Sequence, residues 1–227
     1  MARRKPSRGK CAFCGREMTR GSMQKHLSAC SKAQEAIRRA DGKKGPEEDI
    51  YRLLAKDAWG GTYWLCLEMR GATTLADLDY YLRAIWLECC GHMSMFSIDG
   101  WRGKEISKRT SVEAAFAPGE ELTHIYDFGT SSHTLIKPVA VRKGRPLTRH
   151  PVALLARNEP PEIPCMECGE PASVLCVECL IEDEKTGALC DRHAQDHPHD
   201  EYGEPIPVVN SPRLGMCGYT GPADPPY

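Results

Sequence analysis

No stretch of this 227-residue chain approaches the roughly 20 consecutive apolar residues that a membrane-spanning helix requires. The opening MARRKPSRGK is charged but leads into no apolar segment, so no secretory signal is expected. Aromatics make up only 7%, while 17 Pro and 20 Gly favour loops, so the core should be modest. A phosphate-binding loop is also missing, because Trp59-Gly60-Gly61 has no Lys-Ser/Thr sequel. Nucleophilic catalysis needs a Ser or Cys set beside a base, and the residues name no such reaction. The expected setting is the cytoplasm, where thiols stay reduced. Twelve cysteines in that setting point to metal rather than to disulfides.

A net charge of −1 conceals a strong asymmetry. Residues 1–45 carry 13 Lys/Arg against Glu17, Glu35 and Asp41, a net of +10. Residues 46–157 balance at 14 of each sign. Residues 158–227 carry Lys185, Arg192 and Arg213 against 14 Asp/Glu, a net of −11. Cysteine usage changes at the same places. The expected organisation is therefore a basic head (1–45), a balanced middle (46–157) and an acidic tail (158–227).

In the head, CAFCGREMTRGSMQKHLSAC sets Cys11, Cys14, His26 and Cys30 in the order C-x2-C-x11-H-x3-C. Gly15 suits the tight bend, and Ser22 is a candidate N-cap. A helix beyond it would carry His26 and Cys30 at i and i+4, on one face. Thiolates and an imidazole suit tetrahedral Zn²⁺. Phe13, Met18 and Leu27 would form a small core beneath it. The pattern resembles a Cys-Cys-His-Cys finger of the ββα type. Lys25, Lys32, Arg38 and Arg39, with Arg3, Arg4, Lys5, Arg8 and Lys10 before them, make a basic surface that attracts phosphates by releasing counterions. The same charges also suit a merely solvated face or a protein-binding finger. ADGKKGPEED then reads as helix end and linker.

In the middle, TYWLCLEMRG alternates as a strand does. TTLADLDYYLRAIWLECC follows, capped at Thr74 or Thr73. Leu75, Leu78, Leu82, Ile85 and Trp86 line one helical face. HMSMFSID reads as a strand and SVEAAFAPGEEL as a short helix and turn. A hairpin is expected with arms at 122–128 and 133–142. Cys66 and the pair Cys89-Cys90 sit on apolar stretches and read as buried thiols. Asp127 should close an Asx-type turn in which Gly129 supplies positive φ; a catalytic alternative has Asp127 orient His133. The fold class is α+β, a small sheet with a covering helix, flanked by two small zinc-binding modules.

TTLADLDYYLRAIWLECCGHMSMFSI followed by Tyr126-Asp127-Phe128-Gly129 resembles the plasmid pRiA4b ORF-three-like domain family, over residues 60–143. Members of that family commonly continue Asp-x-Trp-x-His after the glycine, whereas this chain has Thr130-Ser131-Ser132-His133. No role is carried over for the missing residues. The resemblance implies the α+β fold but no settled activity.

After the Pro-rich RNEPPEIP, the tail runs Cys165-x2-Cys168-x7-Cys176-x2-Cys179-x10-Cys190-x2-His193-x3-His197-x-His199. Pairs separated by seven and ten residues cannot easily build separate fingers, so a cross-brace is expected. Cys165, Cys168, Cys190 and His193 would hold one zinc, and Cys176, Cys179, His197 and His199 the other. Cys217 is an alternative to either last histidine. The pattern resembles B-box-type zinc modules. Dense carboxylates would repel nucleic acid here, so the surface suits a protein partner, or the basic head itself. The closing NSPRLGMCGYTG reads as a turn covering the zinc module. Asn210, Arg213 and Tyr219 form a candidate partner site within it.

The leading expectation is a non-enzymatic adaptor holding three zinc ions, with nucleic acid at the finger and protein at the tail. The alternatives are a protein–protein scaffold without nucleic acid and, behind it, a hydrolase centred on the middle domain.

Overall fold

The computed structural model describes residues 6–116, 119–198 and 201–227. The head opens with the hairpin β1 (Arg8–Cys11) and β2 (Glu17–Thr19), bent at Gly15 with φ +73°. Helices α1 (Arg20–Ala29) and α2 (Ser31–Asp41) follow; α1 starts from Thr19 rather than Ser22. The middle comprises β3 (Glu48–Asp57), β4 (Trp64–Arg70) and α3 (Leu75–Leu82), which continues into a π turn at Arg83–Leu87. Next come β5 (Ser94–Ile98), β6 (Glu105–Ile106), α4 (Val112–Phe116), β7 (Leu122–Tyr126), β8 (Ser132–Gly144) and β9 (Val152–Asn158). The tail holds β10 (Val174–Leu175), α5 (Val177–Ile181), β11 (Ala188–Leu189), α6 (Asp191–Gln195) and β12 (Ile206–Pro207). No helix of the described residues is long and apolar enough to cross a membrane.

The expected small sheet is instead a nine-stranded antiparallel one, in the order β2-β1-β9-β4-β3-β8-β7-β5-β6. Three strands account for most of the difference. EDIYRLLAKD and VALLARN lack clean polar/apolar alternation, because β3 and β9 lie inside the sheet with apolar residues on both faces. The third, β1, belongs to the head and pairs with β9. Head and middle therefore share one sheet, and the boundary at residue 45 separates charge, not structure. A second sheet of three short strands, β11-β10-β12, organises the tail.

Side-chain alternation along β4 assigns the two cores. Leu65, Leu67 and Met69 join Leu75, Leu78, Leu82, Ile85 and Trp86 of the helix face in one fully buried cluster. Trp64 and Cys66 point the other way, into a cluster with Met23, Leu27 and Ala33 of the head helices. Thr74 caps α3 with a reciprocal capping box to Asp77. Pro138 interrupts β8 where it cannot donate a ladder bond, and the register slips there opposite Leu53.

A buried polar network ties α3 to the sheet. Asp79 accepts from Ser94 Oγ and pairs with His124 Nε2, both at 2.7 Å, and Lys108 Nζ lies 2.9 Å away. Burial pushes the His124 imidazole below its ordinary value, so it is neutral at pH 7 and donates to the carboxylate. Burial opposes ionisation of Asp79, but its hydrogen bonds from His124, Ser94 and Lys108 hold its carboxyl well below the usual range. Both shifts have the same sign for stability: the unfolded chain binds more protons, so stability falls as pH drops below about 6.5.

Replacing His124 with Gln should flatten the pH dependence of unfolding free energy between about pH 6.5 and 4.5, measured by urea titration against the parent; an unchanged slope would refute the neutral-histidine assignment. Gly9 has no room for a side chain, since an added Cβ would lie 2.2 Å from the Arg157 carbonyl and 2.6 Å from Trp64. Gly9→Ala should therefore cost about 1–3 kcal/mol in thermal or urea unfolding, and a neutral effect would mean that β1 is not docked as described.

Candidate metal centres

Three groups of thiols and imidazoles assemble from the residues singled out in the sequence. In the head, the β1–β2 turn supplies Cys11 and Cys14 while α1 supplies His26 and its C-cap Cys30. Cys14 Sγ lies 3.2 Å from His26 Nε2. Cys11 and Cys30 are buried and belong to the same cluster as Trp64 and Leu27, so this centre is built into the sheet-face core. Phe13 and Met18 pack against that cluster from its edge.

The tail groups follow the interleaved order. Cys165, Cys168, Cys190 and His193 converge, with Cys165–His193 at 3.5 Å, Cys190–His193 at 3.4 Å and Cys168–Cys190 at 3.9 Å. Cys176 and Cys179 meet His197, whose Nε2 is 3.3 Å from Cys179 Sγ. His199 lies outside the described residues, as do Arg3, Arg4 and Lys5 of the head. In each group the ligand atoms all fall within 4.8 Å of one another. A tetrahedron with M–S of about 2.3 Å and M–N of about 2.0 Å has S···S edges near 3.8 Å and S···N edges near 3.5 Å. The measured spacings match these edges, so each group can hold a metal ion, and the thiolate–imidazole donor set is the one zinc favours.

The thiols differ in readiness. Burial pushes Cys11 and Cys179 up to about 11, so loading a metal there displaces a proton. Burial also opposes ionisation of Cys165, but amides of Cys190, Glu167 and Cys168 and the His193 ring bring it down to about 6. That thiol is already largely ionised at neutral pH. Among the described residues, the cluster beneath the tail ligands is Leu189 with Cys165, Cys176 and Cys179, flanked by a few half-buried side chains, and Leu175 and Ala188 are the further buried aliphatics of the short sheet. So small a core is of the kind that metal ligation can supplement.

The remaining expected sites are distributed differently. Lys25, Lys32, Arg38 and Arg39 are all exposed. Among the described residues only Arg39 of the four has an ion-pair partner, Glu35 at 3.6 Å. Arg213 and Tyr219 are buried, contrary to the expected partner-facing surface. Arg213 reaches into the middle domain, donating to Asp127 Oδ2 at 2.5 Å, to the Thr130 carbonyl at 2.9 Å and to Ser132 Oγ at 3.1 Å. Asn210 exchanges hydrogen bonds with Asn158. The closing segment thus docks on the central sheet, while a Cβ added at Gly215 would meet Leu180 and Leu175 of the tail.

Asp127 closes the expected Asx turn, accepting from the Gly129 amide at 2.9 Å. The positive φ, however, belongs to Asp127 itself (+65°), a conformation Asp tolerates, and not to Gly129. Its other oxygen turns to Arg213 and His92. His133 lies instead against the rings of Trp59 and Trp101. The paired Asp127–His133 arrangement considered from sequence is therefore not what the geometry assembles.

A fourth group was missed by sequence reasoning. Cys89, Cys90, His92 and Cys217 also bring their ligand atoms within 4.8 Å of one another. Cys66 is a buried thiol as expected, but Cys90 is exposed and Cys89 half-buried. The compact spacing Cys-Cys-x-His was the available signal; the partner cysteine more than a hundred residues away hid it.

No family model matches this chain, and no curated protein matches it. Among solved structures, it is similar to the protein of unknown function MM3350 from Methanosarcina mazei Go1, with a TM-score of 0.39 and 16% identity. The match spans 46% of this chain and 66% of that one, just under two thirds of its length. The resemblance to the plasmid pRiA4b ORF-three-like family thus rests on the quoted residues alone.

Replacing Cys168 with Ser should release one metal ion per chain and raise amide hydrogen exchange across 164–198, while β3 and β4 stay protected. Equal loss of protection in β3 and β4 would show that tail and sheet unfold as one unit.

Proposed function

We propose that this protein is a zinc-dependent, non-enzymatic adaptor whose basic head binds nucleic acid and whose acidic tail binds a protein. The observation that carries the reading is the pairing of charge with ligand clusters. The head centre anchors α1, which leads into α2, and Lys25 of α1 with Lys32, Arg38 and Arg39 of α2 are exposed. Lys32 and Arg39 are seven residues apart and share one side of α2, and Lys25 stands on α1. Exposed cations on such helices, with only Arg39 of the four ion-paired among the described residues, are suited to phosphate contacts.

The tail carries the opposite charge around its two ligand groups. Glu167, Glu170, Glu178, Glu182 and Asp191 surround thiolates that are themselves anionic when metal-bound. Such a surface repels a phosphate backbone and favours a basic protein surface. On this reading zinc occupies the head site and both tail sites, three ions, with His199 as the proposed fourth ligand beside Cys176, Cys179 and His197. Membership of the plasmid pRiA4b ORF-three-like family is part of the same proposal. The hydrolase reading is weaker, since His124 is enclosed and committed to Asp79, and Asp127 is committed to Arg213.

The test is a mobility-shift series on the full chain with duplex DNA and with single- and double-stranded RNA at several salt concentrations. Reversing Lys25, Lys32, Arg38 and Arg39 to Glu together should weaken binding at least about tenfold and reduce the salt slope by up to about 0.9 per lost phosphate contact. Unchanged affinity and slope would leave the scaffold reading, in which the charge of the head serves protein contacts only.

A further inference from the structure

We propose that Cys89, Cys90, His92 and Cys217 form a fourth zinc site, a clasp that fastens the C-terminal segment to the middle domain. This inference does not depend on the proposed nucleic-acid role of the head. Cys89, Cys90 and His92 occupy the loop between the π turn and β5, and Cys217 comes from the closing segment. Cys90 Sγ is 3.6 Å from both Cys89 Sγ and Cys217 Sγ, and 3.0 Å from His92 Nε2. Cys217 Sγ is 3.5 Å from the same nitrogen. Most of these edges are close to those of a tetrahedral Cys3His zinc site, about 3.8 Å between sulfurs and about 3.5 Å from sulfur to nitrogen. They also match the edges at the head and tail centres.

The backbone and the surroundings fit the same purpose. Cys217 has φ +54°, a left-handed conformation unusual for cysteine, which the docked segment holds in place. Behind the cluster lies Arg213, fully buried, whose Nε donates to Cys89 Sγ at 3.3 Å and whose Nη2 holds Asp127. Three thiolates on one Zn²⁺ leave a net charge of −1, and the guanidinium beside Cys89 offsets it. Hydrogen bonds of this kind orient metal-bound thiolates. Ser211 Oγ donates to the Trp86 carbonyl at 2.5 Å, fixing the segment just before the clasp. A disulfide is the competing fate of Cys90 and Cys217, but their sulfurs stand well beyond the roughly 2.05 Å of an S–S bond.

Position also sets this site apart from the other three. Cys90 and Cys217 are exposed, whereas most sulfurs of the other groups are covered. The clasp zinc is therefore the one most accessible to chelators, and its departure frees the segment that carries Arg213.

The experiment uses the full chain, purified without chelator and loaded with zinc. Zinc per chain is measured for the parent and for Cys90→Ser/Cys217→Ser, and the readout is the difference, so a shortfall at another centre does not obscure it. The expected loss is one ion. In parallel, the parent is alkylated with iodoacetamide and mapped by mass spectrometry; Cys90 and Cys217, although exposed, should react only once a chelator is added. This second measurement stands even if the double variant fails to fold. Equal zinc in parent and variant, prompt alkylation of both cysteines in the zinc-loaded protein, or a Cys90–Cys217 disulfide in the intact chain would each overturn the proposal.

Discussion

Strand β4 is apolar on both faces, and the rest of the molecule is arranged to cover it. Leu65, Leu67 and Met69 require the α3 side of the sheet, and Trp64 and Cys66 require the head helices. Each large side chain so buried is worth about 1.5–3 kcal/mol, and neither face can be left to water without losing several of them. That demand explains why a segment with the ligand spacing of a free-standing finger is built into the sheet. It also explains why the centre formed by Cys11, Cys14, His26 and Cys30 shares its packing with Trp64.

The closing segment answers a second demand. A fully buried arginine needs anionic or carbonyl partners on every side. Arg213 finds Asp127, the Thr130 carbonyl, Ser132 and the Cys89 sulfur, and its guanidinium lies over the Tyr126 ring at 5.0 Å. The Tyr-Asp-Phe-Gly turn is thus a receptor for the chain's own arginine. Its left-handed aspartate is held by bonds from both directions.

The elements with strong local signals were legible in the sequence. The helix face from Leu75 to Trp86, the β7–β8 hairpin and the Thr74 cap stand where periodicity and capping chemistry put them. So do three ligand groups, the one of Cys176, Cys179 and His197 apart from His199, which lies outside the described residues, because metal ligands come in short pairs with fixed spacing. What stayed hidden was long-range. Strands β3 and β9 bury both faces and so show no alternation. The pairing of β1 with β9 leaves no mark in either segment. Arg213 looked like a surface charge because its partners lie some 80 residues away, and Cys217 reads from sequence only as an alternative to His197 or His199 because Cys89, Cys90 and His92 lie still farther off in the chain. Gly129 was expected to take the left-handed position because glycine is the default there; Asp127 holds it because Arg213 and the Gly129 amide secure its side chain.

The pairing of β1 with β9 has a temporal consequence. As the chain leaves the ribosome, Cys11, Cys14, His26 and Cys30 come together early, since all four potential ligands are local. The strand that β1 must join is made more than a hundred residues later, and Trp64, which the head helices cover, appears in between. Until β9 emerges, the head hairpin stands beside an unfinished sheet edge. A ligand set whose members are all local could shape that first hairpin before its partner strand exists.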